Sequence, residues 1–73
     1  MPRLPILSGR EIIKALNKIS YRIIWQRGSH IRLDCHHRKR VTIPNYKTVD
    51  RSLLLKILRN AELTSEEFLE LLR

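Results

Sequence analysis

Two hydrophobic periods alternate along the chain, and each change of period marks an element boundary. Ile12, Ile13, Leu16 and Ile19 recur at helical spacing and form one apolar stripe. Ser8-Gly9-Arg10-Glu11 stands before that stripe with the Ser-x-x-Glu spacing of a capping box, in which two orphan amides are satisfied reciprocally. Arg10, Lys14 and Lys18 fall on the wet side of the same helix. The arm preceding it, residues 1–7 with Pro2 and Pro5, is expected to be extended and loosely held.

Beyond Ile19 the period becomes two. Tyr21 to Arg27 is rich in β-branched and aromatic residues, which puts Tyr21, Ile23 and Trp25 on one strand face. Gly28 breaks the run, and Ile31, Leu33 and Cys35 then alternate with His30, Arg32 and Asp34 as in a half-buried strand. His36-His37-Arg38-Lys39 reads as a polar turn, and Arg40 to Ile43 as a third strand that Pro44 ends. After a loop, Asp50 is placed to cap a helix carrying Leu53, Leu54, Ile57, Leu58 and Ala61. A second capping box, Thr64 to Glu67, opens a short helix with Phe68, Leu69, Leu71 and Leu72 apolar. The order α-β-β-β-α-α predicts an α+β fold: a three-stranded antiparallel meander with helices on its one apolar face. The other face, bearing His30 and Arg32, is left for binding.

Size narrows the chemistry. Seventy-three residues make one domain, spanning 1–73, that buries only about 60% of its unfolded surface. Such a chain has no room for a deep cofactor pocket, so no small-molecule cofactor is expected and any site is a surface patch suited to a macromolecule. Charge points the same way. The formal net charge is +8, and between Arg22 and Arg51 eight basic residues face two acidic ones, Asp34 and Asp50. Four of the seven acids, Glu62, Glu66, Glu67 and Glu70, cluster near the end of the chain. A basic middle of this kind attracts nucleic acid, or an acidic protein that mimics it. The single cysteine, Cys35, fits a reducing compartment. The start of the chain is no secretory signal, and no apolar run approaches the roughly 20 residues that span a bilayer. A cytoplasmic location without membrane contact is expected.

His30 is the candidate for chemistry. It follows Gly28-Ser29 at the start of a strand, with parity opposite to Ile31 and Leu33, and Arg27 and Arg32 flank it. RNA cleavage by the 2′-hydroxyl needs a base for the 2′-OH proton, a donor for the departing 5′-oxygen and positive charge at the phosphorane. Histidine serves either proton role near neutral pH, and arginines supply bidentate phosphate contacts. The competing reading is an ordinary polar surface histidine. Cys35-His36-His37 invites a metal reading, but three adjacent residues cannot converge on one tetrahedral ion, so no metal is expected. Tyr21 and Trp25 are aromatic enough to stack on bases. Core packing is favoured for both, for Trp25 because of its parity with Ile23.

Taken in order, Gln26-Arg27-Gly28-Ser29-His30, Val41-Thr42-Ile43-Pro44, Leu55 to Ala61 and Leu63 to Phe68 resemble the HicA (YcfA-like) mRNA interferase family. That family is the toxin half of a bacterial toxin–antitoxin pair, and the similarity runs from about Ser8 to Leu72. The resemblance implies a double-stranded-RNA-binding-domain-like fold, metal-independent cleavage of mRNA, and inhibition by a HicB-type antitoxin. The family's catalytic histidine falls on His30, and its motif also covers Gly28 and Ser29. With the arginines already noted, the expected RNA- and phosphate-binding set is Arg27, Gly28, Ser29, Arg32, Lys39 and Arg40. This chain departs from the family at several positions, and its loop from Pro44 to the second helix is slightly short. Tyr46 stands where relatives often carry a histidine, Ser20 and Glu62 stand where glycines are common, and Trp25 occupies a frequently polar position. Two other readings stay open: a non-catalytic RNA-binding module, and a protein-interaction domain for an acidic partner.

Overall fold

A computed structural model describes residues 3–73; Met1 and Pro2, the first part of the expected arm, lie outside the described residues. The elements follow the expected order: α1 (Gly9–Asn17), β1 (Arg22–Arg27), β2 (His30–Cys35), β3 (Arg38–Pro44), α2 (Arg51–Asn60) and α3 (Ser65–Leu71). The strands form an open antiparallel sheet of order β1-β2-β3. Both connections within it are two-residue turns, Gly28-Ser29 and His36-His37.

Local chemistry fixes the helix starts. Ser8 and Thr64 each make the reciprocal capping box, with Glu11 and Glu67 respectively, and the Asp50 carboxylate accepts the Leu53 amide at 2.8 Å. The Thr64 amide and hydroxyl hold the Glu67 carboxyl below the usual carboxylate range. The helix ends are equally defined. After α1, the Ser20 amide bonds Asn17 and the Tyr21 amide bonds Leu16; after α2, the Glu62 amide bonds Arg59 and the Leu63 amide bonds Leu58. These are paired Schellman closures, which need a left-handed residue at the turn. Ser20 (φ 78°) and Glu62 (φ 59°) supply it. They are the two positions at which the resemblance would place glycine, and here L-residues carry the strain instead.

The core lies between the helices and part of the sheet. α1 and α2 pack on β3, and α3 packs on α1 and α2. Ile12, Leu16, Ile31, Leu33, Ile43, Leu54 and Phe68 are fully buried. Tyr21 is buried as expected, its hydroxyl donating to the Lys39 carbonyl at 2.7 Å, and burial pushes its pKa up. The arm departs from expectation. Leu4 and Leu7 are core residues, Leu7 bridges to Val49, and the Arg51 guanidinium donates to the Leu4 carbonyl. Two leucines with a buried partner dock the segment that its prolines alone suggested was loose.

β1 also departs from expectation. All six of its residues are exposed, including Ile23 at 45% and Trp25 at 48%. Two causes combine. The helices lie over β3 and leave this edge strand uncovered, and a bulge interrupts the register between Ile23 and Trp25. Ile23 pairs with Leu33 of the core face, but Trp25 pairs with Arg32 of the open face. One extra residue, Ile24, reverses the parity that alternation assigned to Trp25.

Gly9 makes the closest backbone approach. A Cβ there would stand 2.0 Å from the Pro44 carbonyl oxygen, and the Gly9 amide donates to the Tyr46 carbonyl at 2.9 Å. Gly9→Ala should therefore lower stability by about 3 kcal/mol, the upper end of the overpacking range, because backbone cannot yield as a side-chain tip can. A melting temperature within a degree or two of wild type would refute this contact. Glu62→Gly should act in the opposite sense, by about 0.5–1 kcal/mol as the left-handed strain is relieved. For a domain of this size that is a rise of roughly 3–8 °C in Tm, readable by thermal melting.

Candidate nucleic-acid interface

The sheet face away from the helices carries its side chains in cross-strand rows, because paired residues point the same way. The first row is Arg27, His30 and Pro44, and the second is Trp25, Arg32 and Thr42. In the third, Arg22 pairs with Asp34, whose carboxylate accepts from Arg40 at 3.0 Å. Successive rows are two residues apart along β2, about 7 Å.

The β1–β2 turn presents His30. Gly28 has a φ of +58° and Ser29 an ordinary one, the pattern of a II′ hairpin turn with glycine first. The space where a Gly28 side chain would stand is open to 4 Å, so it is conformation and not crowding that requires the glycine. The Gln26 side-chain amide donates to the Gly28 carbonyl at 3.1 Å, and the Asn45 amide donates to the Ser29 carbonyl at 2.7 Å. Thus the residue before His30 is tied to the residue after Pro44. Gly9 then holds the next residue, Tyr46, whose side chain is 48% exposed. Gly9 and Asn45 escaped the sequence reading as supports of this site. An unforced glycine inside a capping box, where most residues serve, was the only signal for the first.

The candidate phosphate-binding residues divide into two groups. Arg27 is cross-strand partner to His30, and Arg32 lies two residues further along β2, half-buried, with one guanidinium nitrogen on the Thr42 hydroxyl at 2.8 Å. Gly28 and Ser29 form the turn between Arg27 and His30. Lys39 and Arg40 lie at the other end of the sheet. The Lys39 carbonyl receives Tyr21, and the charge of Arg40 is partly met by Asp34. Arg38, in the same basic run, turns to the helical layer and donates to the Ala61 and Glu62 carbonyls at 2.8 and 3.3 Å. Cys35 is buried, with its thiol on the Ile19 carbonyl, while the exposed His36 and His37 rings meet edge to face at 4.4 Å.

Electrostatics separate the two layers. Among the described residues only two ion pairs form, Arg40–Asp34 and Arg73–Glu70, so most of the fifteen Lys and Arg side chains keep their field. Glu66 and Glu67 sit in the first turn of α3, in the helical layer. Among the described residues, no helix is long and apolar enough to cross a membrane.

The open sheet face of this small basic α+β domain brings together one histidine and two arginines, a charge pattern that attracts polyanions. The family described as "HicA toxin of bacterial toxin-antitoxin" matches residues 9–63, and the chain belongs to it. The match begins at Gly9 and runs through α1, the sheet and α2. HicA toxins pair with antitoxins in toxin–antitoxin systems. Neither the curated proteins nor the solved structures yield a match to the chain.

Proposed function

We propose that this toxin is an mRNA endoribonuclease of a type II toxin–antitoxin system, with His30 as general acid/base. The observation that carries the reading is the first row of the open face, where His30 and Arg27 are paired across a rigid two-residue turn. Cleavage moves one proton and one phosphorus–oxygen bond. His30 takes the 2′-OH proton as the 2′-oxygen bonds to the adjacent phosphorus, and the imidazolium returns that proton to the 5′-oxygen as the bond between phosphorus and that oxygen breaks. The products are a 2′,3′-cyclic phosphate and a 5′-hydroxyl. Arg27 and Arg32 offset the charge on the phosphorane, which is where preorganised cations lower the barrier most. No metal or organic cofactor enters this scheme. The proposed partner is a HicB-type antitoxin, in keeping with a family of toxins from toxin–antitoxin pairs, and the proposed site of action is the cytoplasm. Tyr46, in the place of a frequent histidine, makes a binding-only module the second reading.

His30→Ala should reduce cleavage of single-stranded RNA by about 10²- to 10⁴-fold, the usual contribution of a positioned proton-transfer group. Growth arrest on induction should be lost with it. Cleavage by the variant at the wild-type rate would overturn the assignment; salt-sensitive RNA binding without cleavage by wild type would favour the binding-only module. The arginines are separable by salt dependence. Arg27→Gln and Arg32→Gln should each reduce the slope of log K against log[salt] by about 0.7 for single-stranded RNA. Arg40→Gln should reduce it less, because Asp34 already meets part of that charge. Equal reductions at all three positions would show that the phosphate track extends along the whole sheet.

A further inference from the structure

We propose that Trp25 is a base-stacking platform, holding one nucleotide beside the phosphate that meets Arg27 and His30. The proposal rests on the RNA-directed reading above and assigns the part of the surface that reading leaves unused. Trp25 is a large aromatic that the core does not enclose: it is 48% exposed, and none of β1 is buried. Trp side chains are highly buried on average, and Trp25 lies exposed beside Ile23 and Ile24, so the open apolar surface here extends beyond one residue. The bulge at Ile24 puts it there, since without that extra residue alternation would place Trp25 with Ile23.

Position and charge select the occupant. Trp25 pairs with Arg32, and His30 is its diagonal neighbour one row away, about 7–8 Å between side-chain bases. Along β1 the open-face residues are Arg22, Trp25 and Arg27, an aromatic between two cations. A planar apolar group flanked by cations suits a nucleotide, which offers a base to stack and a phosphate to pair. Asp34 is the one acid in these rows and is already bonded to Arg40. An acidic protein would satisfy the arginines, but it offers no repeating planar group for the indole. Base–aromatic stacking tolerates every base, so Trp25 sets where the strand sits more than which sequence it has.

Trp25 is the only tryptophan, so the intact protein reports on this contact without a label. The test is a fluorescence titration with a 2′-O-methyl oligoribonucleotide, which binds but lacks the attacking hydroxyl. Quenching of Trp25 emission on binding is expected. Trp25→Ala should weaken affinity about 5- to 150-fold, the range of one stacked base, while Trp25→Phe retains most of it. Because no charge is removed, the salt slope should be unchanged, unlike that of Arg27→Gln. On cleavable RNA, Trp25→Ala should raise KM more than it lowers kcat. Wild-type affinity and KM in Trp25→Ala would overturn the proposal while leaving catalysis by His30 intact. So would quenching by the antitoxin but not by RNA, which would make Trp25 a protein contact. A wild-type protein that binds no RNA would instead overturn the parent reading, and this one with it.

Discussion

At Gly9 the first turn of α1 meets the end of β3 so closely that the contact admits no side chain. The rest of the candidate site is arranged by that approach. The Gly9 amide takes the Tyr46 carbonyl, the neighbouring Asn45 amide takes the Ser29 carbonyl, and Ser29 leads into His30. Main-chain hydrogen bonds, each worth about 1 kcal/mol net, join helix, third strand and hairpin turn in addition to the packing of α1 on β3. A surface patch on a small domain is otherwise mobile. Here the backbone around His30 is held on both sides, which fixes the point from which its ring projects.

Stability and binding are divided between two parts of one sheet. β2 and β3 supply Ile31, Leu33, Cys35, Val41 and Ile43 to the core, and β1 supplies nothing. β1 is therefore held chiefly by its ladder to β2, and its side chains stay outside the core. Exposed residues tolerate change far better than buried ones. That freedom lets an aromatic stand at position 25 at little cost to the fold.

Much of this was legible in the sequence because local rules and the global fold agreed. Both capping boxes, the Asp50 cap, the apolar stripes and the alternation of β2 each named one element, and each stands. His30 on the open face followed from parity alone. Parity also failed once, at Trp25, since a bulge adds a residue without any composition signal in Ile23-Ile24-Trp25. The docked arm was missed for a related reason. Pro5 marks extended chain, but whether Leu4 and Leu7 find a groove depends on Val49 and Arg51, distant in sequence. Ser20 and Glu62 show the reverse case, in which absent glycines hid left-handed turns that the backbone still makes.

The uncovered strand has a consequence for solubility. The outer edge of β1 is the edge of the sheet, and such an edge templates pairing with other chains. Its centre, Ile23-Ile24-Trp25, has the β-propensity and apolarity of an aggregation-prone segment. Arg22 and Arg27 stand at its two ends as gatekeepers. If two copies paired antiparallel through this edge, Arg22 of one would lie against Arg27 of the other, and like charges directly opposed destabilise the pair. The bulge adds twist, which a flat stack of strands cannot accommodate. The same two arginines that border the open face thus also oppose edge-to-edge pairing of β1.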